Sequence, residues 1–122
     1  MGRIQGDLKE RTFGFAKSIV NLYDGLPNNG KGWEIGRQLI RSGTSVGSNV
    51  WEADHALTER DFAHGCNIAR KEASETCFWL RLCRECMLLE GESATQAYQE
   101  ADELTRILSS VVKATQHFLE KS

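Results

Sequence analysis

The 122-residue sequence has one proline, Pro27, and no long apolar run or strong excess of one charge. No stretch approaches the roughly 20 apolar residues that a bilayer span needs, so a membrane-spanning helix is excluded. The period-two alternation of half-buried strands is missing as well, which removes the sheet folds. A formal net charge of −2 argues against a strongly electrostatic nucleic-acid binder, although a local basic face remains open. The amino terminus, Met1-Gly2-Arg3-Ile4-Gln5-Gly6-Asp7, holds no apolar stretch of signal-peptide type, and a cytoplasmic location is expected. Catalytic signatures are also missing. There is no Gly-x-Ser-x-Gly elbow, and no Cys, His and acid set has the spacing of a nucleophilic site. The sequence therefore predicts no enzyme and no cofactor.

What is present is helical punctuation around amphipathic stripes. The length suits one domain, residues 1–122, with one real core. Leu8, Thr12, Phe15, Ile19, Leu22 and Leu26 recur at spacings of four and three, with Asp7 and Glu10 as an acidic capping box, and predict a first helix from about Leu8 to Gly25. Pro27 and the turn Asn28-Asn29-Gly30-Lys31-Gly32 close it. A second helix from about Trp33 to Ala56 carries Ile35, Leu39, Ser42, Val46, Asn49 and Ala53. Gly43 and Gly47 inside it each cost about 0.8 to 1 kcal/mol relative to alanine. Either the backbone of a neighbour approaches closely there, or the helix breaks near Gly43.

Thr58 with Asp61, and the staple pair Leu57 and Phe62, mark a third start. Phe62, Cys66, Ala69, Ala73, Thr76, Leu80, Cys83 and Met87 follow without a break until Gly91, a helix of roughly 45 Å. Ser93 and Gln96 suggest a capping box for a fourth stripe of Ala97, Ala101, Leu104, Leu108, Val111, Thr115 and Phe118. Short connections make these an all-α, antiparallel up-down-up-down four-helix bundle. All four cysteines fall inside helical patterns and read as reduced thiols.

Several clusters invite a functional reading. The glycine-rich stretch from Arg41 to Ala53 lacks a Gly-Lys-Ser/Thr ending and a preceding strand, so it is no phosphate loop. As a helix it places Ser42, Ser45, Asn49 and Glu52 on one polar stripe. Antiparallel folding about residues 57 and 58 sets Arg41 near Glu72 or Glu75 of the next helix, where Lys71 also lies. That group reads as a polar seam or subunit contact. Glu52-Ala53-Asp54-His55 has a Glu-x-x-His spacing, and with His64 it forms the alternative, a carboxylate and histidine metal site, but its place at a turn argues against it. Cys83-x-x-Cys86 has no second pair to complete a zinc site and reads as packing. Residues 1–50 hold seven Lys/Arg against four Asp/Glu, and residues 51–122 hold eight against thirteen, giving halves of +3 and −5. Lys9, Arg11, Lys17, Arg37 and Arg41, with Trp33 nearby, form the candidate nucleic-acid face. A second apolar line of Ile68, Trp79, Leu82, Cys86 and Leu89 makes the third helix apolar over too wide an arc for a monomer, and points to a protein partner, most simply a second copy.

Taken together, Asp7-Leu8, Leu26-Pro27, the run from Gln38 to Asn49 followed by Glu52-Ala53, Asp61-Phe62, the run from Ile68 to Thr76, and Trp79-Leu80 resemble the four-helix bundle proteins encoded in bacterial 23S ribosomal RNA intervening sequences. The resemblance covers about residues 7 to 89. It implies a small cytoplasmic bundle that assembles as a ring-shaped homo-oligomer, typically a pentamer, with a tie to RNA. A related bundle in diversity-generating retroelements is an accessory subunit that binds nucleic acid and a reverse transcriptase. Many such proteins are more basic than this chain.

Overall fold

The structure, a computed structural model, describes residues 2–4 and 6–121; Met1, Gln5 and Ser122 lie outside it. Four helices follow one another: α1 (Leu8–Tyr23), α2 (Gly30–Ala53), α3 (Glu59–Glu85) and α4 (Glu92–Glu120). Consecutive helices pack on each other, and α1 closes more sparingly on α4. This is the antiparallel four-helix bundle the stripes predict. Leu39, Val46, Leu80, Leu104 and Leu108 are wholly buried at its centre, with Ile19 from α1. No described helix is long and apolar enough to cross a membrane.

α2 is continuous through both glycines. A Cβ on Gly43 would stand 2.7 Å from Ile19 Cγ1, and one on Gly47 would stand 3.1 Å from the Thr12 carbonyl oxygen. Close approach of α1 is therefore why the helix keeps residues that weaken it. α2 starts at Gly30, earlier than the sequence suggests, because the Asn29 side chain accepts the Gly32 N–H at 3.1 Å and supplies the cap.

The helix ends depart most from expectation. Asp7 makes no side-chain cap, and α4 begins after Gly91 (φ 93°) with Ser93 exposed, so neither the acidic box nor the Ser93–Gln96 box forms. Thr58 does accept the Asp61 N–H at 3.1 Å, but Leu57 is 92% exposed and does not staple onto Phe62. α3 stops at Glu85. Met87 turns left-handed (φ 57°), and the N–H groups of Leu88 and Leu89 bond back to the Cys83 carbonyl at 2.7 and 3.2 Å. That reversal throws Met87 into solvent and folds Leu89 into the core.

Candidate interaction surface

The polar seam between α2 and α3 has a buried part and a rim. Ser42 and Thr76 share a buried hydrogen bond at 3.0 Å, and the Thr76 hydroxyl also lies 2.7 Å from the Glu72 carbonyl oxygen. Outside them, Arg41 Nη1 lies 3.1 Å from Glu72 Oε2, its Nη2 bonds Glu75, and its Nε donates to Gln38. Glu75 in turn accepts the Trp79 indole N–H at 2.8 Å. The Arg41 side chain is 47% exposed, so this is a surface network. Ser45 and Asn49 spend their polar atoms on α2 itself, bonding the carbonyls of Arg41 and Ser45 at 2.6 and 2.8 Å. Glu52 and Lys71 are exposed.

The alternative metal site does not assemble. Glu52, His55 and His64 are all exposed, His55 Nδ1 sits 3.2 Å from the Trp51 carbonyl oxygen, and no group of three or more His, Cys, Asp or Glu side chains converges among the described residues. Glu52 is on the last turn of α2, His55 is in the turn beyond it and His64 is on α3, which is why spacing in sequence gave no convergence in space. The cysteines are free thiols, and burial pushes those of Cys66 and Cys83 up to about 11, away from nucleophilic use near neutral pH.

The five basic residues do not share one surface. Arg11 reaches α4, where its guanidinium bonds both oxygens of Glu100 at 2.8 and 2.7 Å and Glu103 at 3.0 Å. Arg41 faces α3 instead. Arg37 pairs with Glu34 one turn away at 3.0 Å. Lys9 and Lys17 remain on the α1–α2 side, each over an aromatic ring: Lys9 Nζ is 4.2 Å from the Trp51 ring centre and Lys17 Nζ 5.6 Å from that of Phe13. Lys9 also donates to Asp54 at 3.0 Å.

The apolar line on α3 needs a correction. Ile68, Trp79 and Leu82 are only part-exposed, Trp79 packs against the core, and Leu89 is 5% exposed because of the turn at Met87. The outward apolar residue of α3 is Phe78, 59% exposed and edge-on to Trp79 at 5.0 Å between ring centres. Core residues Thr76 and Leu80 flank it two positions away on either side, and a step of two turns a helical side chain to the opposite face.

A larger apolar surface lies on α1 and α2, where the sequence reading assigned none. Phe13, Ala16, Thr44, Gly47, Ser48 and Trp51 line an open groove of about 420 Å³ whose exposed walls are almost wholly apolar. Phe13 and Trp51 are about half-exposed, as is Val20 one step along α1. The signal was available: Phe13, Ala16 and Val20 repeat at three and four beside the core stripe. It is short and interleaved with Lys9 and Lys17, so it reads as a solvated face.

Comparison with known proteins places these observations. The family model described as 23S rRNA-intervening sequence protein matches residues 6–110, and the chain belongs to that family. A solved structure, a protein with unknown function from the S23 ribosomal protein family of Bacteroides thetaiotaomicron VPI-5482, is 38% identical with a TM-score of 0.80. The match covers 87% of this chain and 98% of that one. No curated protein matches.

Proposed function

We propose that this member of the 23S rRNA-intervening sequence protein family is a non-enzymatic, cytoplasmic subunit that works as an assembly of copies of itself, with an accessory role in binding RNA or a protein partner. The observation that carries the reading is a pair of unlike exposed aromatic patches on separate faces, the Phe13 and Trp51 groove on α1–α2 and Phe78 on α3. Apolar area left in water on two faces favours association, because burying it is favourable at about 25 cal/mol per Å². Unlike patches pair head to tail, and head-to-tail contacts make a ring when the rotation between copies closes. Five copies is the number the family resemblance implies. Light scattering at micromolar concentration tests the assembly: a multiple of 13.7 kDa is expected, and a mass of 13.7 kDa alone removes the reading.

An RNA role would draw on Lys9, Lys17 and Arg37; Lys9 and Lys17 lie over the rings of the α1–α2 groove, so RNA would take that face in place of a second copy. RNA crosslinked to the protein in cells, then titrated with salt, is the test. Binding of this origin weakens steeply as salt rises, and absence of enriched RNA leaves the protein partner as the search to pursue.

A further inference from the structure

We infer that residues 2–4 form a strap that closes a second core at one end of the bundle and comes away from it without unfolding the helices, with Asp54 as its clasp. α1 is the shortest of the four helices. Arg11, less than one turn from its start, already meets Glu100 and Glu103 of α4, and α4 then runs on to Glu120 with no α1 beside it. There Phe62 and Cys66 of α3 join Val112 of α4 and Ala53 of α2 in a second buried cluster. Ile4, the apolar side chain of the strap, packs against that cluster on the flank that α1 leaves open.

Three features make the strap a unit of its own. First, its attachments are polar and converge on the end of α2. The Asp54 carboxylate accepts the Ile4 N–H at 2.6 Å, the Asp54 carbonyl accepts the Arg3 N–H at 2.9 Å, and Arg3 also bonds the Ala56 carbonyl at 2.7 Å and pairs with Glu59. Beside these bonds the strap brings one part-buried apolar side chain, and a segment with few apolar contacts is the kind that opens locally. Second, Asp54 is buried at the C-terminal end of α2, where the helix dipole disfavours a carboxylate unless donors answer it. The strap supplies the Ile4 amide, and the other charges near the carboxylate are Lys9 of α1 at 3.0 Å and His55. A Cβ on Gly2 would overlap this carboxylate, so the strap lies on it as closely as glycine allows. Third, Gly6 (φ 74°) turns the chain between the strap and α1 in open space, while Leu8 stays buried at the head of α1.

Cys66 and Cys83 provide the readout. Both thiols are fully buried and held protonated to about 11, one in the second core and one in the main core, so their rates of alkylation by iodoacetamide compare the opening of the two. Two variants free the strap: Asp54→Ala removes the clasp, and Gly2→Ala pushes the strap off it while leaving every residue of the helices in place. Peptide-resolved mass spectrometry at pH 8 should show Cys66 modified about tenfold faster than in wild type in both variants, with the Cys83 rate unchanged and circular dichroism showing wild-type helix content. Loss of helix in Asp54→Ala leaves Gly2→Ala to decide. If Cys66 and Cys83 accelerate together in Gly2→Ala, the bundle opens as a whole and the strap is no separate unit. If Cys66 keeps its wild-type rate there, the strap does not close the second core, and acceleration in Asp54→Ala alone assigns the effect to the lost buried carboxylate. Each of these results overturns the inference.

Discussion

Gly43 on α2 and Ile19 on α1 meet so closely that a Cβ on the glycine would lie 2.7 Å from Cγ1 and 2.8 Å from Cγ2 of the isoleucine. Ile19 is fully buried and has no room to withdraw. Gly43→Ala should therefore destabilise the bundle by about 1 to 3 kcal/mol, the usual cost of overpacking, even though alanine favours helix by about 1 kcal/mol. Gly14, with open space at its Cβ position, is the control. Gly14→Ala should stabilise by about 0.4 to 1 kcal/mol. Urea unfolding of the two variants checks both signs; equal effects would show that propensity alone governs these positions.

The buried and exposed parts of the α2–α3 seam should respond differently. Thr76→Val removes a hydroxyl that touches both Ser42 and the Glu72 carbonyl in a fully buried setting, and should cost about 1 to 3 kcal/mol. Arg41→Ala breaks a half-exposed network and should cost about 0 to 1 kcal/mol. Thermal melts compare them. A larger loss from Arg41 than from Thr76 would mean that the rim, rather than the hydroxyl pair, holds the helices in register.

The core was legible because its signal is a period. Residues such as Ile19, Leu39, Leu80 and Leu104 recur at three and four over many turns, and that pattern survives local irregularity. The Arg41 contacts with Glu72 and Glu75 were legible too, since a hairpin turn at known residues fixes which positions face each other. Helix ends were not. Met87 adopts φ 57° to let Leu88 and Leu89 bond back to Cys83, a choice of backbone geometry that a continuing apolar stripe conceals. Leu89 was assigned outward for the same reason. The α1–α2 groove escaped because its lining is split between two helices, and neither Phe13 on one nor Trp51 on the other makes a surface alone.

Alkaline pH should weaken the fold through the buried thiols. Cys66 and Cys83 are held protonated to about 11 by burial, against 9.0 for the free group. Between those values the unfolded chain loses its thiol protons first, so it binds fewer protons than the native state and stability falls as pH rises. Below pH 9 this contribution is fully present. Melting temperature followed from pH 8 to 11 should decline more for wild type than for Cys66→Ala/Cys83→Ala, each compared with its own value at pH 8. Parallel declines would assign the loss to other groups. In the native state a thiol reagent should modify exposed Cys86 well before either buried cysteine.

Asp54 at the end of α2 holds the segment that precedes α1. Its carboxylate accepts the Ile4 N–H at 2.6 Å and the Lys9 ammonium at 3.0 Å, its carbonyl accepts the Arg3 N–H at 2.9 Å, and Arg3 Nε bonds the Ala56 carbonyl at 2.7 Å. The Ile4 amide, and after it Lys9, hold the Asp54 carboxyl below its usual range. A lowered value means that the native state gives up this proton more readily than the unfolded chain, so the stabilisation is present above the ordinary carboxylate range and disappears as pH falls through the native value. Asp54→Ala should leave the four helices formed but release the Ile4 amide, and hydrogen exchange at that amide should approach the rate of an open chain. Lowering the pH of wild type should bring it toward the same rate, whereas the variant should show no further loss of protection there. Retained protection in Asp54→Ala would show that Arg3, through Ala56 and Glu59, is enough to hold the segment by itself.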